Sequence, residues 1–158
     1  MTNIEIEMMN GDVIKAELYP DVAPITVENF VKLINENFFD GLIFHRVIRG
    51  FMIQGGGYDA NGSHKDADSI KGEFTSNGVT NNLKHTRGVL SMARTMFPNS
   101  ASSQFFIMHE DAPHLDGQYA AFGKVTEGIE AVDKIAECAT DMGDAPLEPQ
   151  VIKTIRLA

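Results

Sequence analysis

Hydrophobic and polar positions alternate from the start of the chain. Ile4, Ile6 and Met8 are interleaved with Asn3, Glu5 and Glu7, the period-two pattern of a strand with one buried face. Asn10-Gly11 suits a two-residue hairpin turn with positive φ angles, so Val13–Leu18 is predicted to return as its partner. Pro20 and Pro24 end that strand, and Pro24 fits the first turn of a helix, where a missing N–H costs nothing. The period then changes: Val27, Phe30, Val31 and Ile34 recur at helical spacing and predict an amphipathic helix from Ile25 to about Asn35. Phe38–Ile48 is rich in β-branched and aromatic residues, and Phe51–Gln54 resumes as strand after a break at Gly50. Gly55-Gly56-Gly57 reads as a strand end free of side chains, since the Lys-Ser or Lys-Thr of a phosphate loop does not follow it. Residues 57–82, rich in Gly, Asn, Ser and Asp, form a long loop interrupted by a short Ile70–Phe74 segment. Strands recur at Val89–Ala93, Gln104–Met108 and Ala120–Val125. Ile129, Val132, Ile135 and Ala136 then mark a second helix, and Val151–Leu157 a last strand. No βαβ rhythm appears, so the pattern implies a mainly β chain, a closed sheet or a sandwich with two helices.

Composition narrows the class. A length of 158 residues favours one domain, residues 1–158, around one core. The net charge of −9 argues against nucleic acid, because phosphate contacts need clustered Lys and Arg, and disfavours an anionic membrane surface for the same reason. No apolar run approaches the ~18 residues of a membrane span. The N-terminal residues lack the basic and apolar regions of a signal peptide, so a cytoplasmic protein is expected. Cys138, the one cysteine, excludes an internal disulfide and a Cys-based zinc site. His45, His64, His85, His109 and His114 show no paired metal-ligand spacing, so neither a metal nor another cofactor is expected.

The chemistry concentrates in Phe-His-Arg-Val-Ile-Arg-Gly-Phe-Met-Ile-Gln-Gly-Gly, residues 44 to 56. One guanidinium, Arg46, precedes an apolar pair, Phe51-Met52, and an amide, Gln54, with no nucleophile beside them. Downstream stand Ser91-Met92-Ala93-Arg94, then Ser103-Gln104-Phe105-Phe106-Ile107, then His114-Leu115-Asp116-Gly117. Such a set can hold an apolar ring and aim donors at an amide attached to it. A Ser-His-Asp hydrolase built from His114, its flanking Asp111 and Asp116, and Ser102 or Ser103 lacks the G-x-S-x-G elbow, and nothing in the sequence ties the three together.

FHRVIRGFMIQGG, GVLSMART, PNSASSQFFI and LDGQYAAFGKV together resemble the cyclophilins, a family of peptidyl-prolyl cis/trans isomerases, in order and across essentially the whole chain. The MART segment is more like bacterial and certain single-domain eukaryotic members than like the human cytosolic archetype. The resemblance implies an eight-stranded antiparallel β-barrel, closed, with an α-helix capping each end. It implies that Arg46 is the catalytic donor, its fork held by Gln54. The proline ring would lie on Phe51, Met52, Phe106 and Leu115, with Phe105 inside the barrel. Ala93 and Arg94 would meet the substrate backbone, Gln104 would add an amide, and His114 and Tyr119 would form pocket walls. His45, alternating with Arg46, would point inward. Partners implied are proline-containing peptides and proteins, met by a monomer. Cyclosporin, which gives the family its name, would bind weakly, because His114 stands where the archetype has Trp and Tyr119 where it has His. Met96 and Phe97 put two large apolar residues in a loop beside the groove, where they either contact substrate or tuck against the barrel.

Two other classes share this pattern. A module that grips proline-containing segments without turnover would not require Arg46, Gln54 and Phe106 together. A small-ligand barrel carrier would need a hollow interior, whereas the Phe, Ile and Met of these strands predict a filled one.

Overall fold

A computed structural model describes residues 1–158. In chain order the elements are β1 (Thr2–Met8), β2 (Val13–Leu18), α1 (Pro24–Asn35), β3 (Leu42–Ile48), β4 (Met52–Asp59), β5 (Val89–Met92), β6 (Phe105–Met108), β7 (Ala121–Glu127), α2 (Ile129–Ala136) and β8 (Ile152–Leu157). The strands form one eight-stranded antiparallel sheet in the order β3-β4-β6-β5-β7-β2-β1-β8. Its two edges meet. Ile43 bridges Val151, the Phe44 N–H donates to the Gln150 carbonyl at 3.0 Å and the Gly41 N–H to the Ile152 carbonyl at 2.9 Å, so the sheet curls into a nearly closed barrel.

Strand periodicity fills the interior. Ile4, Ile6, Ile14, Leu18, Phe44, Ile53, Leu90, Phe105, Ile107, Phe122 and Ile155 are buried together with Phe30 of α1 and Val132 of α2. Phe30 lies 4.9 Å from Phe39, 5.2 Å from Phe105 and 5.2 Å from Phe122, ring to ring. Spacings in that range give aromatic pairs favourable edge and offset contacts. The barrel is solid, which removes the carrier reading.

Helix α1 begins at Pro24, as expected, but its cap comes from far away. The buried carboxylate of Glu73 accepts the Thr26 N–H at 2.7 Å and the Thr26 hydroxyl at 2.8 Å. A negative group here satisfies an otherwise orphaned donor and opposes the positive end of the helix dipole.

Four local expectations are corrected. The β1–β2 turn is a three-residue loop, Met9-Asn10-Gly11, in which Gly11 alone has positive φ (95°), and the Met8 N–H closes it onto the Asp12 carbonyl at 2.8 Å. Phe38–Gly41 is turn rather than strand, because α1 ends with Asn37 in the left-handed region (φ 56°). Gly55–Gly57 lies inside β4 rather than ending it. A Cβ on Gly55 would stand 2.6 Å from the Ile43 carbonyl, and on Gly57 2.6 Å from the Gln104 side chain, so glycine lets neighbouring chains close in. His45 does not face the interior. Between Phe44, paired with Gly55, and Arg46, paired with Gln54, β3 advances two residues against one. This bulge turns both Phe44 and Val47 inward and leaves His45 against Tyr58, ring centroids 4.7 Å apart.

Candidate active site

Residues that alternate with the barrel core face outward, and on one side of the barrel they are apolar too. Met52 of β4, Phe106 and Met108 of β6, Val89 of β5 and Ala121 of β7 form a second buried cluster with Ala112 and Leu115, flanked by Phe51, Ala93 and Tyr119. Phe105 and Phe106 divide between the two clusters, as successive strand residues must. The segment after β6 covers this outer cluster with a short 3₁₀ turn, Pro113–Leu115, and leaves an open cavity of about 170 Å³.

That cavity is lined by Arg46, Phe51, Met52, Gln54, Ala93, Arg94, Phe106, Leu115 and Tyr119. Register explains the convergence. Arg46 pairs with Gln54 across β3 and β4, Gln54 with Phe106 across β4 and β6, and Phe106 with Ser91 across β6 and β5. A cation, an amide and an aromatic ring therefore stand in one row on the barrel surface. The guanidiniums of Arg87, Arg94 and Arg156 are taken by Asp133, the Gln118 carbonyl and the Glu5–Glu7 pair. That of Arg46 faces the cavity.

Two expected details differ, the role of Gln54 and the place of His114. Gln54 does not hold the Arg46 fork; its amide donates to the Gln104 side chain at 3.0 Å. Gln104 stands with Ala93 and Arg94 in an adjoining polar depression, lined also by Gln54, Thr95, Ser100 and Ser102. His114 is exposed and stands on the rim, its ring 5.8 Å from that of Phe51. The Ala93 N–H is already bonded to the Gln104 carbonyl at 3.0 Å, leaving the Ala93 carbonyl and the Arg94 backbone for a ligand. The Arg94 side chain bridges loops: it lies 4.7 Å over Phe74 and 4.8 Å over Tyr119, and donates twice to the Gln118 carbonyl.

Behind Phe106 lies a chain of groups absent from the expected site. His85 Nε2 is 2.8 Å from the Ser91 hydroxyl and its Nδ1 is 3.0 Å from Asp116, while the ring stacks beside Phe106 at 6.1 Å. The order is that of a hydrolase triad, yet Ser91 is 0% and His85 1% exposed, so no substrate reaches the hydroxyl. Burial pushes the His85 pKa down, against the pull of Asp116, and keeps the ring neutral. Asp116 stays low despite partial burial, because it accepts the His85 backbone N–H at 2.6 Å and the ring N–H. Strand parity offered the signal: Ser91 lies between inward Leu90 and Met92, and a polar group on an apolar outer row needs a partner. Ser102 and Ser103 take no part; the Ser103 hydroxyl donates to the Gly56 carbonyl at 2.7 Å.

His109, Asp133 and Glu137 bring ligand-type atoms within 4.8 Å of one another. Their bonds suit a structural knot better than a metal. The Gly50 N–H donates to His109 Nδ1 at 2.9 Å, so a neutral ring carries its proton on Nε2, facing Asp133 at 3.0 Å. Both Asp133 oxygens also accept from Arg87, at 2.7 Å each, and this pairing holds the Asp133 pKa down.

A nearly closed barrel carrying an open apolar cavity edged by the Arg46 guanidinium suits a non-covalent catalyst or binder of apolar rings. Comparison with known proteins resolves it. Residues 3–157 match the family model described as cyclophilin type peptidyl-prolyl cis-trans isomerase/CLD. The chain is 44% identical over 166 residues to a peptidyl-prolyl cis-trans isomerase of Acinetobacter baylyi, covering 99% of this chain and 85% of that one. It is 41% identical to a second, from Schizosaccharomyces pombe, covering 99% and 100%. Among solved structures, a cyclophilin type isomerase of Cryptosporidium parvum superposes with a TM-score of 0.88 at 32% identity, covering 99% of this chain and 97% of that one. The chain belongs to the cyclophilin-type peptidyl-prolyl cis-trans isomerases, enzymes that catalyse rotation about the peptide bond preceding proline.

Proposed function

We propose that the chain works as a single domain, residues 1–158, and that Arg46 is its catalytic group. The X-Pro bond rotates over a barrier of ~18–20 kcal/mol because the nitrogen lone pair is delocalised into the carbonyl, and uncatalysed exchange takes ~10–100 s. No bond need break. A donor aimed at the prolyl nitrogen localises the lone pair and lowers the barrier, and a guanidinium does so at any physiological pH. The ring would rest on Met52, Phe106 and Leu115, between Phe51 and Tyr119. Gln54, the Ala93 carbonyl and the Arg94 backbone would hold the flanking peptide. The observation that carries this assignment is the row Arg46–Gln54–Phe106 at the edge of the apolar cavity.

A solved relative was crystallised in the presence of the dipeptide Ala-Pro, which supports proline-containing peptides and proteins as substrates here. Assistance to protein folding follows from that chemistry. No helix is long and apolar enough to cross a membrane. A monomer at work in the cytoplasm, without nucleic acid or cofactor, remains part of the proposal. Cyclosporin would bind weakly, the rim at His114 offering a small flat surface. A protease-coupled assay on a short X-Pro peptide tests the proposal: exchange should be accelerated in the presence of EDTA, and a protein that binds the peptide without accelerating exchange would be a binding module instead.

A further inference from the structure

Beyond the cavity, the chain carries two of its most exposed large apolar side chains on one loop. Met96 is 86% and Phe97 69% exposed, so neither tucks against the barrel. The loop is not loose. The Ser100 hydroxyl accepts the Thr95 N–H at 2.9 Å and donates to the Phe97 carbonyl at 2.7 Å, while Thr95 Oγ1 accepts the Phe97 N–H at 3.2 Å. Asn99 ties the far side, its Oδ1 accepting the Gly72 N–H at 3.0 Å and the Asn77 amide at 2.9 Å. Arg94, clamped between Phe74 and Tyr119, anchors the base. The chain thus spends a web of polar bonds to hold two apolar side chains in water. With the backbone of the tip already ordered, only the side-chain rotors of the pair remain to be fixed when it is covered, which lowers the entropic cost of a contact there.

Its place says what covers it. Gln54, Ala93 and Arg94 line both the apolar cavity and the polar depression beside it, and Thr95 and Ser100, which bracket the tip, line that depression. With the ring in the cavity, the prolyl nitrogen faces Arg46 and Gln54. The one exocyclic bond on that nitrogen leads to the preceding residue. The segment before the proline therefore runs past Gln54, over the polar depression, and toward the tip.

Given the isomerase assignment on which it rests, we propose that Met96 and Phe97 form a docking surface for a large apolar side chain two or three residues before the client's proline. Clients are selected as segments with an aromatic or long aliphatic residue there, followed by small or polar residues that cross the depression. Covering a modest apolar area on the tip gives a preference of about five- to tenfold over Ser at the same position.

The test measures kcat/KM for peptides with Phe, Leu, Ser or Gly two and three residues before proline, beside a short acyl-Ala-Pro reference that ends before the tip. Wild type should favour Phe and Leu, and the doubly substituted Met96→Ser, Phe97→Ser protein should lose that preference while turning over the reference at the wild-type rate. Normal turnover of the reference with a flat profile in wild type would overturn the docking surface alone. No acceleration of the reference would overturn the isomerase assignment beneath it. Sedimentation of both proteins supplies the remaining check: a wild-type dimer that the double substitution dissociates would mean that the tip covers a second copy, and would also overturn the proposal.

Discussion

Single residues carry the chemistry, and their environments rank them. His114 stands on the rim beside Phe51 rather than within the cavity. His114→Trp extends a flat apolar face over Phe51, and about 50 Å² of added contact corresponds to ~1–1.5 kcal/mol. Cyclosporin titrated against both proteins should bind the variant about tenfold more tightly, with kcat/KM on short peptides little changed; equal affinities would show that the rim does not touch this ligand. Ser91 and His85 illustrate the opposite case, polar groups that sit against the site and never meet substrate. All nine residues that line the cavity were legible, because four sequence motifs in fixed order carry them. The partners of those residues were not. Gln54 bonds Gln104 and not Arg46, and His85 closes on Asp116 from 31 positions away, contacts that depend on strand register and loop paths which no local pattern encodes.

Elements set that register. The expected strands and helices form with ends shifted by a few residues, since alternation of Ile4, Ile6 and Met8, or the helical spacing of Val27, Phe30 and Ile34, records which face is buried. Local insertions left no such record. The bulge at His45 sends two successive residues off the core, and simple alternation had placed one of them inside. Gly55–Gly57 read as a strand end because the sequence does not reveal which backbone presses on it. Glu73 shows the same limit across distance: a carboxylate in a polar loop caps a helix 47 positions earlier. Glu73→Ala leaves the Thr26 N–H without its acceptor in a buried place and should destabilise the fold by about 2–3 kcal/mol. Urea unfolding of the two proteins checks this, and a loss below about 0.5 kcal/mol would mean that water replaces the carboxylate freely.

At the scale of the whole molecule, stability should fall on acidification in two stages. Burial holds the pKa values of His45 and His85 below their unfolded value, so between the two values the unfolded chain binds more protons and stability declines as pH drops below about 6.5. Asp133, paired with Arg87, and Asp116, bonded by His85, are held below their unfolded values; their contribution is complete above about pH 4 and is lost as pH falls further. Urea midpoints at pH 7.5, 5.5 and 3.5 should decrease in that order, and a midpoint higher at pH 5.5 than at 7.5 would contradict the neutral burial of both histidines. A solid barrel, two helices and a pinned loop thus serve to hold one cation beside one apolar cavity. The most direct test of that claim is the rate of X-Pro exchange catalysed by Arg46→Ala, measured with its thermal unfolding. One preorganised donor to a transition state contributes about 3–4 kcal/mol. Exchange should slow at least about a hundredfold with an unfolding temperature close to that of wild type, whereas wild-type turnover by a well-folded Arg46→Ala protein would contradict a catalytic role for Arg46.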